Sequence, residues 1–251
     1  MASALFAFIQ QLQDDRPWGA ALDAGAGVAS TIWLASLDTA RWTAITAASE
    51  HAAQIRSAVA GQMRPQDRLL VGNWMDDALL SGETFDTVLA DYLLGAVEAF
   101  GPYFQRRLFA RLRRHVAGRL YVVGLDPYIV GPATTAAEKM VRAVGRLRDS
   151  CLLLADETPY REFPAEWAVN ALTASRYRVV SARRFPNRYR PGWVNSQLDM
   201  GLRRLGALDD PRLATALRAK AEDLRTEALA LCAEEGGLRC GHDYVIACEP
   251  G

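Results

Sequence analysis

Short apolar runs alternate along the chain with longer stretches in which apolar residues return every three or four positions. The leading stretch, Ala2 to Leu12, places Leu5, Phe8, Ile9 and Leu12 on one helical face and ends near Asp14-Asp15-Arg16-Pro17. Strand-like runs follow at Ala20–Asp23, Arg41–Thr46, Arg68–Val71, Phe85–Ala90 and Leu120–Leu125. Helical patterns separate them. The first, around Ile32, Trp33 and Leu34, runs to about Leu37, and the second carries Ala52, Ile55 and Val59 before Gly61. A long helix is predicted from Phe100 to Val116, with Phe104, Leu108 and Leu112 on one face and Gly118 as its stop. This alternation predicts a parallel sheet covered by helices on both faces.

After the fifth run the rhythm changes. A capping-box pair, Thr135 and Glu138, opens an extra helix carrying Met140, Val141, Val144 and Leu147. A helix over about 164–175 then precedes a sixth strand, Tyr177–Ala182, and the last strand is Tyr244–Cys248. The long excursion between those two strands holds a short helix near Gln197–Leu205. It also holds a longer helix, from Asp210-Pro211 to Gly236-Gly237, whose stripe is Leu213, Leu217, Ala221, Leu224, Ala228 and Leu231. Connections that long are usually functional or independently structured. The expected organisation is one domain, 1–251, with helical insertions at about 129–160 and 186–241 forming a substrate cap.

Composition narrows the function. The chain has 251 residues, half of them apolar, and its 29 basic and 29 acidic residues cancel. Lys139 and Lys220 are the only lysines. No net field draws this chain to nucleic acid or to an anionic membrane. Gln10, Gln11 and Gln13 interrupt the leading apolar run before it resembles a signal or a span, so a cytoplasmic protein is expected. Cys151, Cys232, Cys240 and Cys248 have neither ligand spacing nor a nearby His pattern, which predicts free thiols and no metal. Arg183, Arg184, Arg188 and Arg190 are interleaved with Phe185, Tyr189 and Trp193. They read either as a solvated strand end or as arginines pairing with an acidic group on a small substrate.

The sharpest local signal is Asp23-Ala24-Gly25-Ala26-Gly27, where the first strand turns into a helix. Such a turn is expected to present free backbone N–H groups and a helix N-terminus to a nucleotide cofactor. Gly25 suits a tight turn, and Gly27 allows close approach of a ligand. The same pattern also serves as a purely structural strand-to-helix turn.

Taken in series, the elements resemble the class I S-adenosylmethionine-dependent methyltransferase family from Ala20 to Glu249. Leu22-Asp-Ala-Gly-Ala-Gly27 looks like its first motif, Val71-Gly-Asn-Trp74 its adenine segment and Phe85-Asp-Thr-Val-Leu-Ala-Asp-Tyr92 its fourth-strand motif. Arg114-His-Val-Ala-Gly-Arg-Leu-Tyr121 resembles its helix-to-fifth-strand junction, and His242-Asp-Tyr-Val-Ile-Ala247 its final strand. The resemblance implies a Rossmann-like, seven-stranded, mostly parallel α/β sheet, its last strand antiparallel between the fifth and sixth. It also implies S-adenosyl-L-methionine as cofactor, contacted by Asp23 to Gly27, Thr46 or Glu50, Asn73, Trp74 and Asp91.

The chain departs from the family at Thr46, where an acidic residue usually holds the ribose. Either Thr46 suffices or Glu50 reaches back, although Glu50 also suits a helix N-terminus. Asn73 offers an amide oxygen to the adenine, and Trp74 either stacks on that ring or packs in the core. Asp91 and Tyr92 are the catalytic candidates, as orienting base and pocket wall, or else a helix cap and a packed ring. Asp126 and Tyr128, after the fifth strand, rank behind them. Tyr92, Tyr128, Arg188, Tyr189 and Trp193 are the expected contacts of a small-molecule acceptor. A non-catalytic binding subunit of the same fold is the alternative, and a nicotinamide-dependent oxidoreductase fits the Gly pattern less well.

Overall fold

A computed structural model describes residues 3–251; Ala2, included in the leading helical run, lies outside them. The chain divides into two compact units. One comprises Met1–Leu125, Arg161–Phe185 and Asp243–Gly251, and the other Asp126–Tyr160 and Pro186–His242.

The first unit is built on a sheet. Strands β1 (Ala20–Asp23), β2 (Arg41–Thr46), β3 (Arg68–Val71), β4 (Phe85–Asp91) and β5 (Val116–Leu125) are parallel. Two longer strands, β6 (Tyr177–Tyr189) and β7 (Leu238–Pro250), complete a seven-stranded sheet of order β3-β2-β1-β4-β5-β7-β6. Strand β7 is antiparallel to β5 and lies between β5 and β6, as the resemblance implies.

Helices α1 (Ala4–Gln13), α2 (Val28–Ala35) and α3 (Ser49–Val59) cover one face. Phe6, Ile9, Trp33, Leu34, Ile55 and Val59 bury there against Ala21, Trp42, Leu89, Val123 and Val245. Helices α4 (Leu93–Phe100), α5 (Gln105–Arg113) and α7 (Ala165–Ala174) cover the other. Leu94, Leu108, Leu112 and Leu172 are among its fully buried side chains, each contributing roughly 1.5–3 kcal/mol of burial.

Two expectations about this half are corrected. The helix expected from Phe100 to Val116 is shorter: Phe100 ends α4, Gly101 leaves the helical conformation before Pro102, α5 runs only from Gln105 to Arg113, and Val116 already opens β5. A Cβ on Gly101 would lie 2.5 Å from Met75 Sδ, so the break is also a close contact. Gly118 does not stop a helix either. It lies inside β5, where a Cβ would meet the Asp86 carbonyl oxygen at 2.4 Å, next to a register shift between Phe85 and Thr87.

A buried arginine organises the segment after β3. Arg111 donates to the carbonyls of Asp76, Asp77 and Leu79, meets His115 Nε2, and lies 5.6 Å from the Trp74 ring. Burial holds the His115 imidazole below its usual pKa, with Arg111 adding to the effect. The neutral ring therefore accepts from Arg111 and donates through Nδ1 to Glu83 O at 2.8 Å.

The second unit is helical. Helices α6 (Ala136–Leu154), α8 (Pro191–Arg204) and α9 (Pro211–Glu235) pack on one another through Val141, Val144, Val194, Leu198, Leu224 and Ala228. The capping box of Thr135 and Glu138 is formed at the start of α6. Helix α8 begins at Pro191, six residues earlier than the sequence pattern places it, because the proline sits in the first turn where no N–H is needed. Among the described residues no helix is long and apolar enough to cross a membrane, and no cluster of side chains suits a metal ion. The four cysteines are free and buried.

Candidate functional site

The turn after β1 departs from its expected chemistry. Every amide from Ala24 to Gly27 is used internally. Ala24 N donates to Leu89 O at 2.8 Å and Ala26 N to Ile45 O at 2.7 Å. Gly25 N donates to Asp23 Oδ1 at 3.2 Å and Gly27 N to Ser30 Oγ at 3.0 Å. Between Ala24 and Gly27 no free N–H donor remains, because the neighbouring strands and the Asp23 and Ser30 side chains take them, while the N-terminus of α2 follows at Val28. Gly25 also has a different reason from the one expected. Its φ is not positive, and a Cβ there would lie 2.8 Å from Leu93 Cβ, so glycine is needed for the close approach of α4. Gly27 is open: the nearest atom to a Cβ would be Ser30 Oγ, at 3.9 Å.

Strand register collects carboxylates at this end of the sheet. Asp23 stands opposite Leu89, two residues before Asp91, while Asp91 stands opposite Val123 and Asp243 opposite Leu125. Alternate residues of a strand share a face, so Asp23, Asp91 and Asp243 lie on one face, at the carboxyl edge of β1, β4 and β5.

Their electrostatics follow from burial. Asp23 is fully buried and its Oδ2 has no hydrogen-bond partner. Burial raises its pKa to about 7 against the lowering pull of Ser30 and the Gly25 amide. Burial likewise raises Asp91 to about 8, reinforced by the negative charges of Asp23 and Asp243. Tyr92 takes the left-handed conformation at the start of α4 (φ 49°) and donates its hydroxyl to Asp243. Burial first, then the charges of Asp243, Asp91 and Glu162, push that phenol above its usual value. Asp243 was missed by the sequence reading.

The remaining expected cofactor contacts divide. Trp74 is 3 % exposed and donates its indole N–H to Ala24 O at 2.7 Å, so it braces the turn from beneath; the stacking role is corrected. Asn73 is half-buried, donating to Phe100 O at 2.7 Å while its Oδ1 accepts from Met75 N. Val71 and Met75 flank it with exposed apolar side chains. Thr46 is buried, and its hydroxyl accepts from Ala48 N at 3.4 Å. Glu50 is exposed in the first turn of α3.

Three of the expected acceptor contacts meet inside the helical unit. The rings of Tyr189 and Trp193 are 4.1 Å apart, with Tyr128 at 5.8 Å and 6.2 Å from them. Arg148 donates to the Tyr128 hydroxyl at 2.9 Å. Arg188 and Arg190 both donate to Gly236 O, closing the C-terminus of α9. Arg188 also borders an open groove of about 450 Å³ with Asn187, Arg239, Cys240 and His242.

No protein-family model and no curated protein matches the chain. Solved structures do. BH2331 of Bacillus halodurans, described provisionally as a methyltransferase, is 12 % identical with a TM-score of 0.63, over 99 % of both chains. The mycolic acid cyclopropane synthase CmaA1, solved with S-adenosylhomocysteine (SAH), is 17 % identical with a TM-score of 0.54, over 97 % of this chain and 83 % of that one. The cyclopropane synthase MmaA2 of Mycobacterium tuberculosis is 17 % identical with a TM-score of 0.55, over the same shares. With its strand order, its antiparallel β7 and these likenesses, the chain has the fold of the class I S-adenosylmethionine-dependent methyltransferases.

Proposed function

We propose that the protein binds S-adenosyl-L-methionine at the carboxyl edge of β1 and β4 and transfers its methyl group to a small-molecule acceptor. The observation that carries this reading is the chemistry of the Gly turn. A dinucleotide needs free N–H donors for its pyrophosphate, whereas this turn has its amides satisfied and carboxylates beside it. An anion is repelled there and a cation is favoured. The orphaned Oδ2 of buried Asp23 and the open face of Gly27 fit a cationic cofactor.

In this reading Asp23 to Gly27 shape the cradle, Thr46 or Glu50 meets the ribose, and Asn73 with Val71 and Met75 borders the adenine. The bound cofactor supplies an electrophilic methyl on a sulfonium. The protein's part is to align a nucleophile and exclude water. Asp91 and Tyr92, at the end of β4, orient the acceptor, and Asp91 is the group able to hold its proton.

Connectivity supports a role for the helical unit in choosing the acceptor. The chain passes between the units after Leu125, Tyr160, Phe185 and His242, and the first and last of these passages lie at Leu125 and Asp243, which stand opposite each other at the carboxyl end of β5. Ligands of open α/β sheets bind beyond such strand ends. Tyr128, Tyr189 and Trp193 are the residues of that unit assigned to the acceptor.

Calorimetric titration with S-adenosylmethionine, SAH and NAD tests the cofactor reading. Binding of the first two and not of NAD is expected. NAD binding alone overturns the reading, and cofactor binding without transfer to any acceptor in labelled-methyl profiling favours a non-catalytic binding subunit.

A further inference from the structure

Within the sheet unit, acids collect at one place. Asp23 from β1, Asp91 from β4 and Asp243 from β7 share one face at the carboxyl edge, with Tyr92 donating to Asp243 and Glu162 within electrostatic reach of that phenol. The charges that act on Asp91 are those of Asp23 and Asp243. Ser30, on α2, is the neutral polar group acting on Asp23. Asp23, buried with an orphaned Oδ2, and Asp91 on the same face do not both ionise until a positive charge joins them.

We propose, building on the cofactor reading above, that Asp23 and Asp91 distinguish the charged cofactor from its spent form by exchanging a proton. When the sulfonium enters, Asp91 or Asp23 ionises and its proton passes to solvent. Transfer to an acceptor X–H breaks the S–CH3 bond, forms X–CH3 and leaves one proton. The ionised carboxylate accepts that proton as the positive charge that held it ionised disappears. The neutral thioether then faces protonated acids and has no charge partner among them. Asp243 acts through its charge on Asp91 and its bond to Tyr92, as a positioning residue.

Linkage gives the readout. Each extra proton released by one ligand relative to another steepens the pH dependence of their affinity ratio by up to tenfold per pH unit. The ratio for S-adenosylmethionine over SAH is therefore measured on the native protein from about pH 5 to about pH 6, below the values of both free acids, where the ligands' amino groups stay charged. A rise of roughly tenfold is expected. Calorimetry in two buffers of different ionisation enthalpy should count more protons released by S-adenosylmethionine than by SAH. Asp91→Asn should flatten the ratio, and Asp243→Asn should move its rise to lower pH.

A constant ratio in the native protein, with both ligands bound, overturns the proton exchange and leaves the cofactor reading intact. Failure of both ligands to bind at any pH overturns the cofactor reading, and this inference with it. If Asp91→Asn does not fold, the native slope and Asp243→Asn decide the matter.

Discussion

From Asp243 to Glu249 strand β7 crosses the sheet from one edge to the other within one unit, and these two acids live in opposite circumstances. At the amino edge of the parallel strands, Glu249 is met by Arg16, Arg119 and Arg178. Arg119, and after it Arg16, hold its carboxyl below the usual range against the opposing pull of burial. Just before β3, at the far side of the sheet, Asp67 is held below its usual range despite burial by Arg64 and by two backbone amides. At the carboxyl edge Asp243 joins Asp91 and Asp23, and the charges acting on Asp91 are negative. Acids that serve the fold are matched by cations of the fold. In the proposed reading Asp23 and Asp91 are matched by the cationic cofactor.

The comparison predicts opposite signs for removing a carboxylate at each edge. Glu249→Ala leaves Arg119 buried without its partner and should cost about 3–5 kcal/mol in denaturant unfolding. Asp91→Asn should stabilise the unliganded protein near pH 8, where a buried charge is removed. A loss of stability in Asp91→Asn at that pH would erase the distinction.

The pH dependence sharpens it further. Asp23 and Asp91 have folded-state pKa values of about 7 and about 8, above their unfolded value of 3.8. The folded form therefore binds more protons, and their contribution to stability falls as pH rises from about 4 through about 8. Every tenfold gain in proton affinity on folding corresponds to about 1.4 kcal/mol, so several kcal/mol are at stake. The melting temperature of the unliganded protein should drop across this range. It should drop less in Asp23→Asn, and a cofactor that binds the ionised form should restore part of the loss near pH 8.

Two glycines of one turn should separate stability from binding. Gly25→Ala forces Leu93 to move and should cost about 1–3 kcal/mol. Gly27→Val should leave the melting temperature almost unchanged, because its neighbourhood is open, while abolishing cofactor binding in calorimetry. Trp74→Phe removes the donor to Ala24 O and should cost about 1–3 kcal/mol, with a modest loss of cofactor affinity. The smallest effects belong to the ribose position. Thr46→Asp should keep or tighten binding if Thr46 fills the acidic place, and Glu50→Gln should weaken it if Glu50 does. Indifference at both positions means that the ribose is held elsewhere.

Much of the fold is legible in the sequence. The bounds of β1, β2 and β3 follow from apolar runs closed by polar residues, and α9 is framed by Asp210-Pro211 and Gly236, which are local signals. What escapes is non-local. The Gly101 break, the fit of Gly118 against Asp86 and the use of the turn amides depend on backbone from distant elements. Trp74 is ambiguous in the sequence because burial, not residue type, separates a brace from a stacking platform. Asp243 has a usable signal: an antiparallel last strand must bring its first residues to the carboxyl edge of its neighbours, where Asp91 also ends.

The most direct measurement is a crystal structure of the protein grown with S-adenosylmethionine or SAH. The account predicts the ligand against the open face of Gly27, with its charged end within about 4–6 Å of Asp91 or Asp23. A ligand bound elsewhere, or an arginine side chain occupying that space and pairing with Asp23, would contradict it.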